Sequence, residues 1–135
     1  MNRIVKSGQG WRLGYCPDID RSQDNSGSQG NTSLTFVGLI GADDWAFELT
    51  DAEFRDFRRL LVQLDETLHQ MSGELMDEEN ITCEVESECL WMEAAGFSHA
   101  YRIRVILNTG RRCEGEWLPE AVPELLRAAQ TLDVF

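Results

Sequence analysis

The side chains of this 135-residue chain that could do chemistry are few and scattered. His69 and His99 are its only imidazoles. Nucleophilic catalysis needs a base within reach of a serine or a thiol, and neither histidine stands in such a pattern. His69 follows Asp65 by four residues in a helical repeat, which is the spacing of a surface pair. His99 follows Gly96-Phe97-Ser98 and reads as a solvated turn residue. The four cysteines, Cys16, Cys83, Cys89 and Cys113, form no C-x-x-C pair, so the zinc-ligand spacings are absent. Asp43, Asp44 and Glu48 could in principle hold a hard cation, but an Asp-rich hairpin turn needs no metal. Gly8-Gln9-Gly10 is a lone glycine pair, not a phosphate-cradling loop. These residues predict no catalytic group, no metal and no cofactor, and therefore a non-enzymatic protein.

Binding is the remaining chemistry. The chain has 24 Asp plus Glu against 12 Lys plus Arg, a net charge of −12. Such a field repels polyanions and anionic membranes. One cluster stands out from it: Arg102, Arg104, Arg111 and Arg112, with no acid between Ala100 and Arg112. Arg102 and Arg104 share a strand face, and Arg111 and Arg112 are expected to open the next strand. A hairpin would join them into one patch, with Tyr101 beside it as a stacking platform for a single-stranded nucleic acid. The competing reading pairs these arginines across strands with Glu114 and Glu116, and the overall charge favours it. Nucleic-acid binding therefore ranks second, and an enzyme of unknown type third. First is contact with an unidentified protein partner, for which Trp91 and Met92, directly after Leu90, are the surface candidates; burial in the core is the competing fate of both. A homodimer would bury such groups symmetrically.

The compartment follows from what is missing. Met1 to Gly8 holds no apolar stretch of a secretory signal, and no run approaches the length of a membrane span. The expectation is a cytoplasmic protein with reduced, structural thiols.

These residues must be carried by recognisable elements. Trp11, Leu13 and Tyr15 alternate as a strand that Pro17 stops. Residues 18–32 are Asp, Ser, Gln, Asn and Gly rich and predict a mobile loop inside a single domain spanning 1–135. Ser33 to Ile40 and Trp45 to Leu49 flank Gly41-Ala42-Asp43-Asp44 as a hairpin. Thr50-Asp51-Ala52-Glu53 is a capping box, so a helix begins at Asp51. Its stripe is Phe54, Phe57, Leu61, Leu64, Leu68 and Met71, and Gly73 ends it. From Glu74 to Glu93 there are eight acids and no cation. Within this stretch Ile81, Cys83 and Val85 alternate with Thr82, Glu84 and Glu86, which predicts a strand with a wet acidic face. Further strands follow at Leu90 to Ala95, Tyr101 to Leu107 and Arg111 to Leu118. Pro119 is expected to open a second helix with Ala121, Val122, Leu125, Leu126, Ala129 and Leu132 on its buried side.

A shift of 69 residues superposes the two hairpin-helix runs, matching Gly41 with Gly110, Leu49 with Leu118, Ala52 with Ala121 and Arg58 with Arg127. The predicted class is α+β: two antiparallel sheets with two helices, built from a duplicated strand-strand-helix unit.

The strings Gly10-Trp11-Arg12-Leu13-Gly14 and Gly38-Leu39-Ile40-Gly41-Ala42-Asp43-Asp44-Trp45-Ala46-Phe47-Glu48-Leu49-Thr50 resemble an uncharacterised family of small cyanobacterial proteins. That resemblance implies a fold like the Whirly and transcriptional-coactivator group of single-stranded-nucleic-acid-binding domains, with repeated four-strand-plus-helix units. It implies no catalytic residue. The Lys-Gly-Lys-Ala-Ala-like contact string of the Whirly proteins does not occur here, and fold alone does not carry function.

Overall fold

The computed structural model describes residues 4–16, 35–73 and 79–132. The predicted loop at 18–32 lies outside the described residues. The first unit runs β1 (Ile4–Gly8), β2 (Trp11–Tyr15), β3 (Phe36–Gly41), β4 (Ala46–Thr50) and α1 (Asp51–Ser72). The second runs β5 (Asn80–Glu86), β6 (Leu90–Phe97), β7 (Ala100–Leu107), β8 (Glu114–Trp117) and α2 (Val122–Thr131). Each unit is a four-stranded antiparallel sheet in sequential order followed by one helix. The class is the expected α+β, with a repeat larger than a strand pair and a helix.

Period-two patterning decides which face of each sheet is buried. In the first sheet Lys6, Leu13, Ile40 and Phe47 stand in one row, and Ile4, Tyr15, Gly38 and Leu49 in the next. Leu13, Ile40 and Leu49 have no exposed surface. The first strand escapes the sequence pattern because its inward row is Ile4, Lys6 and Gly8. Lys6 lays its stem over the helix side and donates from Nζ to Thr131 Oγ1 at 2.7 Å. Gly38 is required by close approach, since a Cβ there would lie 2.4 Å from the Phe54 ring.

The capping box forms as read: Glu53 N–H donates to Thr50 Oγ1 at 3.3 Å and Thr50 N–H to Glu53 Oε1 at 2.9 Å. The α1 stripe buries Phe54, Phe57, Leu60, Leu61, Leu64 and Leu68. This helix packs on β3 and β4 of its own unit and on β5 and β6 of the other. The shorter α2 packs on β2, β7 and α1. Each helix thus covers both sheets, and one cluster of buried apolar side chains runs through both units.

Two tryptophans join the units reciprocally. Trp45 Nε1 donates to the Glu116 carbonyl at 3.1 Å, and Trp117 Nε1 donates to the Gly41 carbonyl at 2.9 Å. Their ring centroids are 5.0 Å apart. The Trp45 ring leaves no room for a side chain at position 115, where a Cβ would sit 2.4 Å from it.

Two boundaries differ most from expectation. The eighth strand begins at Glu114, not Arg111, because residues 109–112 close a turn: Arg112 N–H donates to the Thr109 carbonyl at 3.1 Å, and Arg112 has φ 55°. The second helix begins at Val122, not Pro119; Leu118 to Ala121 form a preceding turn, and Pro123 is the proline of the helix's first residues. The four cysteines are free and half-buried.

Candidate functional site

Strand register places the outward residues of the second sheet in rows. Glu86, Trp91, Ile106 and Glu114 form one, and Glu84, Glu93, Arg104 and Glu116 the next. Thr82, Ala95 and Arg102 follow. Successive residues of a strand face opposite ways, so Trp91 and Met92 cannot both be outward. Met92 is fully buried beneath α1 and is a core residue, which removes it as a contact-surface candidate. Trp91 stays half-exposed on the outer face, and its Nε1 donates to Glu84 Oε1 at 3.3 Å. It is an aromatic ring among carboxylates.

The four arginines do not assemble into one patch. Arg102 Nε lies 3.4 Å from Glu116 Oε2, and Arg104 donates to Glu114 Oε2 at 3.0 Å. The Glu114 hydrogen bond and its charge hold the Arg104 guanidinium above its ordinary pKa. Arg111 turns back to the first unit instead. It donates to Glu53 Oε1 at 2.7 Å and to the Glu48 carbonyl at 3.0 Å, and lies 4.7 Å above the Phe36 ring. Glu53 also accepts from Thr109 Oγ1 at 3.1 Å, so the acid that caps α1 is the anchor of the β7–β8 turn. Arg112 is exposed in that turn. Tyr101 points the other way from Arg102 and Arg104, toward the helices, where burial and the Asp65 charge push its phenol up to about 12. A stacking platform and a basic strip therefore do not share a face.

Two clefts flank the sheet. One, of about 650 Å³, opens where the units meet and is lined by Asp43, Asp44, Glu116 and Glu120 around Trp45 and Leu118. Leu118 is 58% exposed there. Glu116 belongs both to this cleft and to the outer face, so the two surfaces are continuous. The other cleft, of about 350 Å³, lies between the end of α1, the β6–β7 turn and α2. It brings together His69 and His99, which the sequence treats as separate surface residues. His69 does pair with Asp65 as its spacing predicts, with Nδ1 at 2.9 Å from the Asp65 carbonyl and 3.3 Å from its carboxylate. Both interactions raise the imidazole pKa above its ordinary value, the carbonyl bond most. Among the described residues no three His, Cys, Asp or Glu side chains are placed to share a metal ion, and no helix is long and apolar enough to cross a membrane.

This geometry defines a class: a two-sheet, two-helix α+β domain of duplicated four-strand-plus-helix units, with a carboxylate-rich outer face on the second sheet. Residues 6–132 match the family described as Domain of unknown function (DUF1818), and the chain belongs to that family. Its fold is similar to that of a solved protein of unknown function, described as from the DUF155 family, from Prochlorococcus sp. NATL2A. The two share 26% identity at a TM-score of 0.80, over 97% of this chain and 98% of that one. No curated protein matches the chain.

Proposed function

We propose that this chain is a non-enzymatic protein-interaction domain whose contact surface is the outer face of the second sheet, and that its partner presents a basic segment. The observation that carries this reading is Trp91, half-exposed beside Glu84, Glu86 and Glu93, with Glu114 and Glu116 on the same face already held by Arg104 and Arg102. An aromatic face attracts guanidinium and ammonium groups, and surrounding carboxylates supply charge-assisted hydrogen bonds to the same groups. The net charge of −12 steers a basic partner toward any encounter. Self-association through this face would set carboxylates against carboxylates, so the partner is a different chain. The continuous cleft beside Leu118 offers a place for an apolar side chain of that segment.

Single-stranded nucleic-acid binding, the second reading, draws support only from Arg112, because Arg102, Arg104 and Arg111 already hold glutamates. A cyanobacterial source, a cytoplasmic setting and kinship with the Whirly group belong to this proposal too; the Prochlorococcus neighbour and the doubled four-strand-plus-helix unit support the first and the last.

The test is a titration of the protein with an arginine-rich peptide, with a glutamate-rich peptide and a thymine-rich single strand as comparators. The expected result is a salt-sensitive complex with the basic peptide alone, weakened by Trp91→Ala and by Glu84→Gln with Glu93→Gln. Binding of the single strand, lost on Arg102→Glu with Arg104→Glu, would overturn the proposal, as would basic-peptide binding indifferent to the sheet-face variants.

A further inference from the structure

The cleft that joins the two histidines is separate from the carboxylate face, and its chemistry is opposite. Its floor is apolar, made of Leu68, Val122 and Leu126. Its polar wall holds the imidazoles of His69 and His99 beside two hydrogen-bond donors, the Tyr101 phenol and the Arg127 guanidinium; the His69 Nδ1 is bonded to the Asp65 carbonyl, so its Nε2 donates only from the protonated ring. The wall has one carboxylate, Asp65, and that group is engaged by His69. Arg127 is different from nearly every other cation among the described residues. Among the described residues Lys6, Arg12, Arg55, Arg58, Arg59, Arg102, Arg104 and Arg111 each hold a carboxylate, carbonyl or hydroxyl oxygen. Arg127 holds none and projects at the cleft. The Tyr101 phenol stays protonated up to about pH 12, so it is a donor at any working pH.

We propose that this cleft binds a small apolar monoanion, a carboxylate on a ring or short aliphatic body. The carboxylate lies against the Arg127 guanidinium and the Tyr101 phenol, within reach of both imidazoles, and its apolar body covers Leu68, Val122 and Leu126. The size is right: about 350 Å³ falls at the lower end of small-ligand sites and exceeds the ~150 Å³ that holds a benzene ring. A carboxylate is favoured over a phosphate because the site offers one unengaged guanidinium within a protein of net charge −12. A single negative charge matches it, and a second would find no further unengaged guanidinium and would add to the repulsion from Asp65 and the overall field.

The two histidines make the site its own reporter, since the chain has no others. The probes are benzoate, its neutral counterpart benzyl alcohol, and phenyl phosphate, each added to the full chain near neutral pH while the imidazole ring protons are followed by NMR. Benzoate is expected to shift the protons of both histidines along one saturable curve, at an affinity that benzyl alcohol misses by roughly tenfold. Arg127→Gln, at an exposed helix position, is expected to lose the same roughly tenfold while leaving the spectrum of the free protein folded. The proposal is overturned by absence of a saturable shift, by equal response to benzyl alcohol, by benzoate binding that survives Arg127→Gln, or by phenyl phosphate binding more tightly than benzoate.

Discussion

The outer face of the first sheet carries Val5, Ser7, Gly14, Leu39, Gly41 and Ala46, with Arg12 and Glu48 as its charged residues. The outer face of the second carries five glutamates, two arginines and Trp91. The inner faces are alike: branched and aromatic side chains pack on helices that each touch both sheets. Packing constrains the inner faces of both units in the same way, and solvent leaves the outer faces free to diverge. The helices diverge as well. α1 has 22 residues and α2 has 10. Under the 69-residue shift, the last residue of α2, Thr131, matches Val62, and Asp65, Leu68, His69 and Ser72 stand on α1 beyond that match. Those four residues line the histidine cleft. The features that distinguish one unit from the other are therefore the ones on which both binding proposals rest.

The tryptophan clasp is the first place to break that comparison. Trp117 is fully buried and bonded to Gly41, whereas Trp45 is half-buried and bonded to Glu116. Trp117→Ala is expected to cost about 3–5 kcal/mol in a denaturant melt, as large core truncations do. Trp45→Ala is expected to cost less, because part of its ring stays in water. Equal losses would mean that the clasp is symmetric in energy as well as in hydrogen bonding.

The next effect tests an asymmetry. Arg111 of the second unit reaches the capping box of the first, and the shift sets Ala42 and Val122 at the reciprocal positions, so no matching bridge can form. The Glu53 side chain is 5% exposed and that of Arg111 25%. Arg111→Ala leaves a buried carboxylate with only Thr109 and the Thr50 amide as donors. The expected loss is about 2–3 kcal/mol, below the full cost of orphaning a deeply buried charge because this pair is partly wet. Arg111→Met, which keeps the stem over Phe36, is expected to recover little, since the missing charge rather than the missing packing sets the loss.

These two positions also mark what was legible in the sequence. The Thr50-to-Glu53 box and the alternation at Ile81, Cys83 and Val85 are local signals, and each element stands where its signal falls. The first strand was illegible because Lys6 holds an inward position that only α2, more than a hundred residues away, makes tolerable. Arg111 was read with Arg102 and Arg104 because it neighbours them in sequence, yet its partner is 58 residues back. Of Trp91 and Met92, the period of two required one to be core, but not which one; the register with β5 and β7 decided that. The histidine cleft needs the end of one helix, a hairpin turn and the start of another helix, so no spacing in the chain announces it.

The charged face yields a smaller effect. Arg102 and Arg104 sit opposite glutamates on a solvent-exposed surface, where ion pairs contribute little. Arg102→Glu with Arg104→Glu is expected to lower the melting temperature slightly at low salt, and less in high salt, where screening shortens the repulsion. The same double change is expected to strengthen binding of an arginine-rich peptide to this face. A large, salt-independent loss of stability would instead show that the two arginines pack as structural members of the sheet.

The smallest expected effect concerns His69, near the C-terminal end of α1. Its imidazole is raised above its ordinary pKa chiefly by the bond to the Asp65 carbonyl, then by the carboxylate of the same residue. Only the second influence depends on the side chain. Asp65→Asn should therefore lower the pKa seen by NMR without returning it to the value of an unstructured histidine, because the backbone bond survives. The sign of the linked stability follows from the direction of the shift. A pKa raised on folding stabilises the fold below the unfolded value of about 6.5, and that contribution disappears as pH rises through the folded value. The difference in stability between the natural protein and Asp65→Asn should accordingly be measurable near pH 5.5 and vanish near pH 8, at roughly the size of an exposed helix pair. Because the ring is well exposed, the difference stays small. A His69 pKa that drops all the way to the unstructured value in Asp65→Asn would assign the shift to the carboxylate and remove the carbonyl bond as its main cause.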